Sequence, residues 1–117
     1  MKLFKNHKHE KEPWGGTETL ILNEVATVKL IFVKPNEALS LQQHEHRDEE
    51  WKIIKGHGVV TVGDKKTEVK QDDEFFVARH TKHRVEAGPD GLEFLEISLG
   101  DFDENDIERF DDRYGRA

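Results

Sequence analysis

The stretch that decides the fold runs Leu39-Ser40-Leu41-Gln42-Gln43-His44-Glu45-His46-Arg47-Asp48-Glu49-Glu50-Trp51. Its first half alternates, with Leu39 and Leu41 on one face and polar side chains, ending in His44 and His46, on the other. Side chains two residues apart on a strand point the same way. The two histidines are therefore predicted to project from one face of a strand, with their ring nitrogens able to converge.

Short segments of the same strand-like character repeat along the chain, separated by turn residues. The predicted strands lie within residues 19–33, 49–55, 59–62, 67–70, 74–78, 83–87 and 92–99. Gly63-Asp64 is predicted to close a hairpin. Many short strands at this spacing are typical of a β-sandwich or β-barrel.

The two ends of the chain differ from its middle. Residues 1–12 are rich in Lys, His and Glu and are predicted to be a flexible N-terminal arm, with one domain over 13–117, its barrel at about 19–99 and a tail at 100–117. In the tail, Ile107, Phe110 and Tyr114 are spaced by three and four residues, which predicts one short helix. Asp103 or Asn105 could cap that helix.

Composition limits the class of protein. The 117 residues suit a single domain, and 34% hydrophobic residues can supply its core. A net charge of −7 argues against non-specific binding to nucleic acid or anionic membrane. There is no cysteine and therefore no thiolate metal site. With no apolar run near the ~20 residues that span a bilayer and no secretion signal, a cytoplasmic protein is predicted.

Three features could carry chemistry: His44 with His46, the acidic pair Glu49-Glu50, and His83. A carboxylate across a tight turn and a histidine from a distant strand could complete a site with the first two histidines. Imidazole and carboxylate together suit Zn, Fe, Mn or Ni rather than Ca or Mg. Alternatively, the polar face is the solvent face of a two-layer sheet. Three other histidines are interpreted as surface residues: His7, His9 and His57.

The chain resembles a known family over residues 13–116. Leu39 to Trp51 is similar to the first cupin motif as type II phosphomannose isomerases carry it, and 73–87 resembles the second motif. Pro13-Trp14-Gly15 resembles the isomerases' entry sequence, and residues 104–116 resemble their ending. The resemblance implies an all-β, single-domain cupin, a double-stranded β-helix or jelly-roll barrel, here with the short C-terminal helix.

The resemblance also implies one bound divalent metal ion, Zn first, with Mn, Fe, Co or Ni as alternatives. The implied metal ligands are His44, His46, Glu49 and His83. Glu50 is the rival carboxylate. Strand alternation favours Glu49, because it then shares the inward face with Trp51 and Ile53, whereas the reverse choice would turn Lys52 into the barrel.

The activity implied by the resemblance is a metal-dependent isomerase that interconverts mannose 6-phosphate and fructose 6-phosphate or a related pair. Glu96 is predicted as the base, because it shares an otherwise mostly apolar face with Phe94 and partial desolvation would raise its pKa. Arg109 is the second predicted catalytic residue and, with Arg47, the predicted cation for the substrate's phosphate. The predicted substrate-binding residues are Gln42, Arg47, Arg84 and Arg113.

Two other functions stay open at this stage, a non-catalytic sugar-phosphate-binding cupin and a metal-dependent oxygenase. Glu50 stands where the isomerases usually have histidine, and His80 replaces a usual glycine, so the substrate is less certain than the metal. A homodimer is expected by analogy with other small barrels, which close exposed strand edges by pairing. No nucleic acid or membrane partner is expected.

Overall fold

The computed structural model describes residues 7–117, and every regular element in that range is a strand. The strands are β1 (Lys8–Glu12), β2 (Gly15–Thr19), β3 (Ala26–Val33), β4 (Leu41–Gln43), β5 (Glu49–Val62), β6 (Lys65–Val69), β7 (Glu74–Val77), β8 (His83–Leu99) and β9 (Glu108–Asp111). The prediction of an all-β fold is confirmed. The hairpin between β5 and β6 turns at Gly63-Asp64, as expected, with Val62 opposite Lys65.

The long strands β5 and β8 form the spine of the main sheet. They pair antiparallel from Glu49 opposite Ser98 to Val62 opposite His83, with register shifts near Gly56 that bend β5. One arm of the sheet contains β7, the start of β5, the end of β8, and β3; the other contains β6, the end of β5, the start of β8, β4 and β9. Between residues 7 and 117, no strand pair joins β6 to β9, so hydrogen bonds do not close the barrel.

The core lies between the two arms of this sheet. Ile53, Val85 and Phe94 are completely buried, and Trp51 packs against Phe94 with ring centroids 5.2 Å apart. On the other side, Trp51 meets the ring of His83 edge-on at 5.3 Å. The apolar core therefore ends at a buried histidine, and the polar site begins there.

The predicted C-terminal helix is wrong. Residues 108–111 form strand β9, which pairs with the edge of β4, and no helix occurs anywhere in the described part of the tail. A single short helix is marginal in water without tertiary packing. Here the free edge of β4 offers backbone hydrogen bonds instead, and Asp106 N–H donates to the Asp103 carbonyl in the turn that precedes β9.

The N-terminal region contains a separate two-stranded sheet. Strand β1 pairs with β2 from Lys8 opposite Thr19 to Glu12 opposite Gly15, so residues 8–12 of the predicted arm are part of a hairpin. The first six residues of that predicted arm lie outside the described residues. Within residues 7–117, no helix is long and apolar enough to cross a membrane.

Candidate metal centre

Three buried side chains converge at one end of the core, and we call them the buried His–Glu cluster: His44, Glu49 and His83. His44 Nε2 lies 3.8 Å from one oxygen of Glu49, and His83 Nε2 lies 4.0 Å from the other. One ligand atom from each residue lies within 4.8 Å of the others. Atoms bound to one ion at the ~2 Å bond lengths of zinc sites lie at most ~4 Å apart, so the three side chains would have to draw closer together around an ion.

Strand register brings these side chains together from three parts of the chain. Glu49 begins β5, His83 begins β8, and His44 follows the end of β4. Gln42 of β4 lies opposite His83, which places His44 next to the start of β8. Inward alternation on β5 then aims Glu49 into the core on the same side as Trp51. The sequence-based choice of Glu49 over Glu50 as the inward carboxylate agrees with this geometry.

Backbone carbonyls fix the orientation of both buried imidazole rings. His44 Nδ1 lies 2.6 Å from the Asp106 carbonyl, and His83 Nδ1 lies 2.9 Å from the Thr81 carbonyl. A carbonyl can only accept, so each Nδ1 carries the hydrogen and each Nε2 presents a lone pair to Glu49. Histidines that bind metals are typically held in this way. His83 Nε2 is buried and has no hydrogen-bond partner among the described residues, so the site fits a cation.

Arg47 reaches into the same cluster. Its Nε donates to Glu49 at 2.8 Å, one Nη lies 3.2 Å from His44 Nε2, and the guanidinium lies 4.5 Å from the ring centroid of Phe102. The guanidinium therefore neutralises the buried carboxylate. An ion that binds His44 Nε2 has to displace this Arg47 contact. Trp51 Nε1–H and Ser98 Oγ–H donate the other hydrogen bonds to Glu49.

Burial shifts the protonation of the groups around this centre. It lowers the pKa of both His44 and His83, against the opposing pull of the Glu49 charge, so neutral imidazoles predominate near pH 7. The neutral ring is the form that binds a metal. Burial, followed by repulsion from Glu49, raises the pKa of Glu96 to about 7. Glu96 is buried on the inward face of β8, as the sequence predicted.

His46, the fourth predicted ligand, does not join the cluster. Its side chain is 78% exposed and lies beside Glu45. The reason is local, because β4 ends at Gln43 and the two-residue periodicity of a strand ends with it. The backbone N–H groups of Glu45 and His46 donate to the Asp106 carboxylate at 2.8 and 3.0 Å, which holds a loop at this point.

Asp106 is the residue of this site that sequence reasoning missed. Its carbonyl orients His44, and its carboxylate holds the loop that carries His46. The two backbone hydrogen bonds lower the pKa of Asp106 although burial opposes them. The sequence places Asp106 in the tail that resembles the family ending, but interpreting that tail as a helix hid its contact with residues 44–46.

Three of the predicted phosphate-binding arginines differ in how far their hydrogen bonds are already used by the protein. Arg109 on β9 lies opposite Gln42, and its buried Nε has no hydrogen-bond partner within residues 7–117. Arg84 is already engaged, because it donates to the Leu39 carbonyl and pairs with Asp111 at 3.0 Å. Arg113 donates to the Asn36 carbonyl at 2.8 Å and is half exposed.

The raised pKa of Glu96 predicts a specific pH dependence of stability in the metal-free protein. The unfolded chain releases this proton near pH 4.5, whereas the folded protein holds it to about pH 7, so stability is highest below this window and falls as pH rises through it. Glu96→Gln should remove the part of this pH-dependent loss of stability that comes from Glu96. The variant is expected to gain up to about 3 kcal/mol over wild type at pH 8, and little at pH 4.

Urea unfolding in EDTA from pH 4 to pH 8 measures this difference. Glu93→Gln, on the outer face of the same strand, is the matched control and should leave the wild-type slope in place. A Glu96→Gln variant whose stability falls with pH as steeply as wild type would contradict the assignment.

Comparison with known proteins gives the family and the fold. The family model described as "Mannose-6-phosphate isomerase C-terminal" matches residues 1–112. The mannose-1-phosphate guanylyltransferase of Klebsiella pneumoniae is 37% identical over 116 residues, 97% of this chain and 25% of that protein. The xanthan biosynthesis protein XanB of Xanthomonas campestris pv. campestris (strain B100) is 36% identical over 113 residues, 95% of this chain and 24% of that protein.

A solved structure, a cupin protein from Bacteroides fragilis, superposes with a TM-score of 0.58 at 24% identity and covers 72% of this chain and 74% of that one. The predicted cupin fold is confirmed. The chain spans about a quarter of the length of the curated relatives. The prediction of a stand-alone sugar-phosphate isomerase is wrong. The relatives are named for guanylyl transfer or xanthan biosynthesis, and the chain matches only about a quarter of each of them.

Proposed function

Because this chain belongs to the mannose-6-phosphate isomerase C-terminal family, we propose that it is a cation-holding domain that binds a phosphorylated mannose and takes part in enzymatic mannose-phosphate metabolism. In the relatives named guanylyltransferases, we assign guanylyl transfer to the three quarters that this chain does not match. The proposed role of the matching quarter is to hold a cation and a mannose phosphate for chemistry that the larger protein carries out.

The buried His–Glu cluster carries the first half of this proposal. Two imidazole nitrogens and one carboxylate face each other, and a His/carboxylate set suits Zn better than Ca or Mg. With three protein ligands, an ion keeps positions for oxygens of the sugar, which it would bind as a Lewis acid. The supporting observation is the buried Nε2 of His83, which has no hydrogen-bond partner within residues 7–117, while the other ring nitrogen donates to the Thr81 carbonyl.

Arg109 carries the second half of the proposal. It lies on the strand next to Gln42, which is itself opposite His83, so its guanidinium belongs to the same end of the sheet as the cluster. Its Nε lacks a hydrogen-bond partner in the described part of the chain. A guanidinium can give a phosphate two parallel hydrogen bonds. Arg84 and Arg113 are already bound to protein oxygens and are therefore less available.

Calorimetric titration of Zn²⁺-loaded protein tests this function directly. We expect mannose 6-phosphate or mannose 1-phosphate to bind, and unphosphorylated mannose and inorganic phosphate to bind much more weakly. Arg109→Met should weaken sugar-phosphate binding by about 10-fold or more, the effect of losing a charge-assisted hydrogen bond. Removing the metal with EDTA should weaken it as well.

The matched control is Arg116→Met, which removes a half-exposed tail arginine that already pairs with Asp112 at 2.8 Å. That variant should keep wild-type affinity. The proposal fails if neither mannose phosphate binds the loaded protein at millimolar concentration, or if mannose without phosphate binds equally well. Comparing the two phosphates identifies which position of the sugar is recognised.

A further inference from the structure

A second group of side chains that could bind a metal lies where the β1–β2 hairpin meets β5 and β7, next to the stretch of β5 that carries Glu50 and Lys52. We call it the hairpin cluster: His7, His9, Glu18 and Glu74. One ligand atom from each of the four lies within 4.8 Å of the others. Sequence reasoning assigned both histidines to the surface. His7 and His9 are two residues apart, the same spacing that drew attention to His44 and His46.

The hairpin itself presents three of these side chains together. His9 lies directly opposite Glu18 in the register of β1 and β2, and His9 Nε2 is 2.9 Å from Glu18 Oε2. His7 lies two residues before His9, with ring centroids 5.3 Å apart, and its Nε2 is 3.4 Å from the same Glu18 oxygen. Two imidazoles, one on β1 and one just before it, therefore approach the same carboxylate oxygen.

The sheet supplies the fourth ligand and a neighbouring cation. Glu74 begins β7, and Lys52 of β5 lies 2.7 Å from Glu18 Oε1 and 3.8 Å from Glu74 Oε1. Glu18 divides its oxygens, one for the ammonium of Lys52 and the other for the two histidines. The single ammonium of Lys52 faces two carboxylates, Glu18 and Glu74, so a further cation at this point would be electrostatically favoured.

His7 gives an independent indication that a ligand belongs here. Its side chain is only 1% exposed, and each ring nitrogen lies close to a carboxylate oxygen, but within residues 7–117 neither contact has the geometry of a hydrogen bond. A buried polar group without a well-formed hydrogen bond costs about 1–3 kcal/mol. An ion bound through Nε2 would reduce that cost. Nδ1 of the same ring lies 2.9 Å from Glu50, an arrangement like the carboxylate–histidine pairs that orient metal ligands.

We propose that His7, His9, Glu18 and Glu74 bind a zinc-class divalent ion that fixes the β1–β2 hairpin to the main sheet. Two nitrogen and two oxygen donors from four residues match a closed, four-coordinate structural site. Three ligands come from the hairpin and one from β7, so the ion joins two sheets that do not hydrogen-bond to each other along their strands. A cleft of about 830 Å³, lined by His9, Glu18, Lys52 and Glu74 among others, gives the ion a path from solvent.

Metal content and hydrogen exchange of the full chain test this site, with Zn²⁺ as the probe. Wild type, His9→Gln and Glu74→Gln are loaded with Zn²⁺ from a metal buffer and analysed by elemental mass spectrometry after gel filtration. We expect each variant to retain one equivalent of zinc less than wild type, because a ~10-fold or greater loss of affinity releases that equivalent during gel filtration. His9 is 68% exposed, so its replacement should leave the fold intact.

The matched control is His57→Gln, which removes an exposed histidine on β5 away from the hairpin and should keep the wild-type content. Addition of Zn²⁺ should slow amide exchange across residues 8–19 in wild type and leave it unchanged in His9→Gln. Because the measured quantity is the difference caused by hairpin residues, the result does not depend on whether the buried His–Glu cluster binds metal. Unchanged zinc content in His9→Gln or Glu74→Gln would overturn the proposal.

Discussion

Replacing Glu49 with glutamine is expected to abolish metal retention by the buried His–Glu cluster and to destabilise the protein strongly. Glu49 is the only carboxylate of that cluster, and its charge also balances Arg47, whose Nε lies 2.8 Å away. Removing one partner of a buried ion pair costs about 3–5 kcal/mol. The affinity for Zn²⁺ should fall by more than the ~10–100-fold that follows loss of an outer-shell group.

Two comparisons separate the loss of a ligand from the loss of stability. Glu45→Gln, in the same loop but with a side chain 65% exposed, should leave both metal affinity and stability near wild type. The double variant Arg47→Met with Glu49→Gln removes both buried charges and should recover much of the unfolding free energy without recovering metal binding. Isothermal titration and urea unfolding measure the two effects. Wild-type affinity in Glu49→Gln would exclude Glu49 as a ligand.

Most of the fold could be predicted from the sequence, because alternation and turn residues act locally. The inward face of β5 follows from the pattern Glu49, Trp51 and Ile53, and these three side chains are 0–1% exposed. Gly63-Asp64 marks the hairpin for the same reason, since the turn needs a residue that adopts a positive φ and Gly63 has φ +61°. Such signals involve neighbours in sequence and do not depend on distant parts of the chain.

Two of the wrong predictions, those for His46 and for the tail, come from contacts between distant parts of the chain. His46 was expected to point the same way as His44, but Asp106, sixty residues away, holds a loop there by accepting from the His46 N–H. The tail was expected to be helical, but the edge of β4 pairs it as strand β9. A single sequence gives no indication of which distant segment will fill an open edge, so periodicity alone predicted the more common local structure.

The structure gives Arg47 contacts that its place in the sequence did not indicate. The sequence suggested that it binds a phosphate, because it lies beside the ligand cluster. In the structure its guanidinium is buried between Glu49 and His44, so it serves the charge balance of the cluster. The burial of His7 also differs from the prediction. The sequence suggested a surface residue, but the β1–β2 hairpin packs on the main sheet and buries the His7 side chain. Burial of charged and polar groups therefore had to come from the structure.

Replacing Gly56 with alanine is expected to destabilise the protein more than replacing either Gly58 or Gly100 with alanine. Gly56 has φ +93°, and a Cβ built there would overlap the Gly91 carbonyl and lie 3.0 Å from Leu92 Cα. The left-handed conformation costs an alanine roughly 1–2 kcal/mol, and a clash with backbone that cannot rotate away adds about 1–3 kcal/mol. We expect the unfolding free energy to fall by about 2–5 kcal/mol in total.

Two other glycines separate these contributions. Gly100 has the same φ of +93° but open space around the Cβ position, so Gly100→Ala measures the conformational cost alone. Gly58 lies outside the left-handed region, but its added Cβ would meet the Glu86 carbonyl, so Gly58→Ala measures the clash alone. The loss in Gly56→Ala should approach the sum of the other two in urea unfolding. A loss no larger than that of Gly100→Ala would contradict the close approach of β5 and β8 at this bend. Both arms of the sheet, one carrying Glu49 and the other His83, depend on that approach.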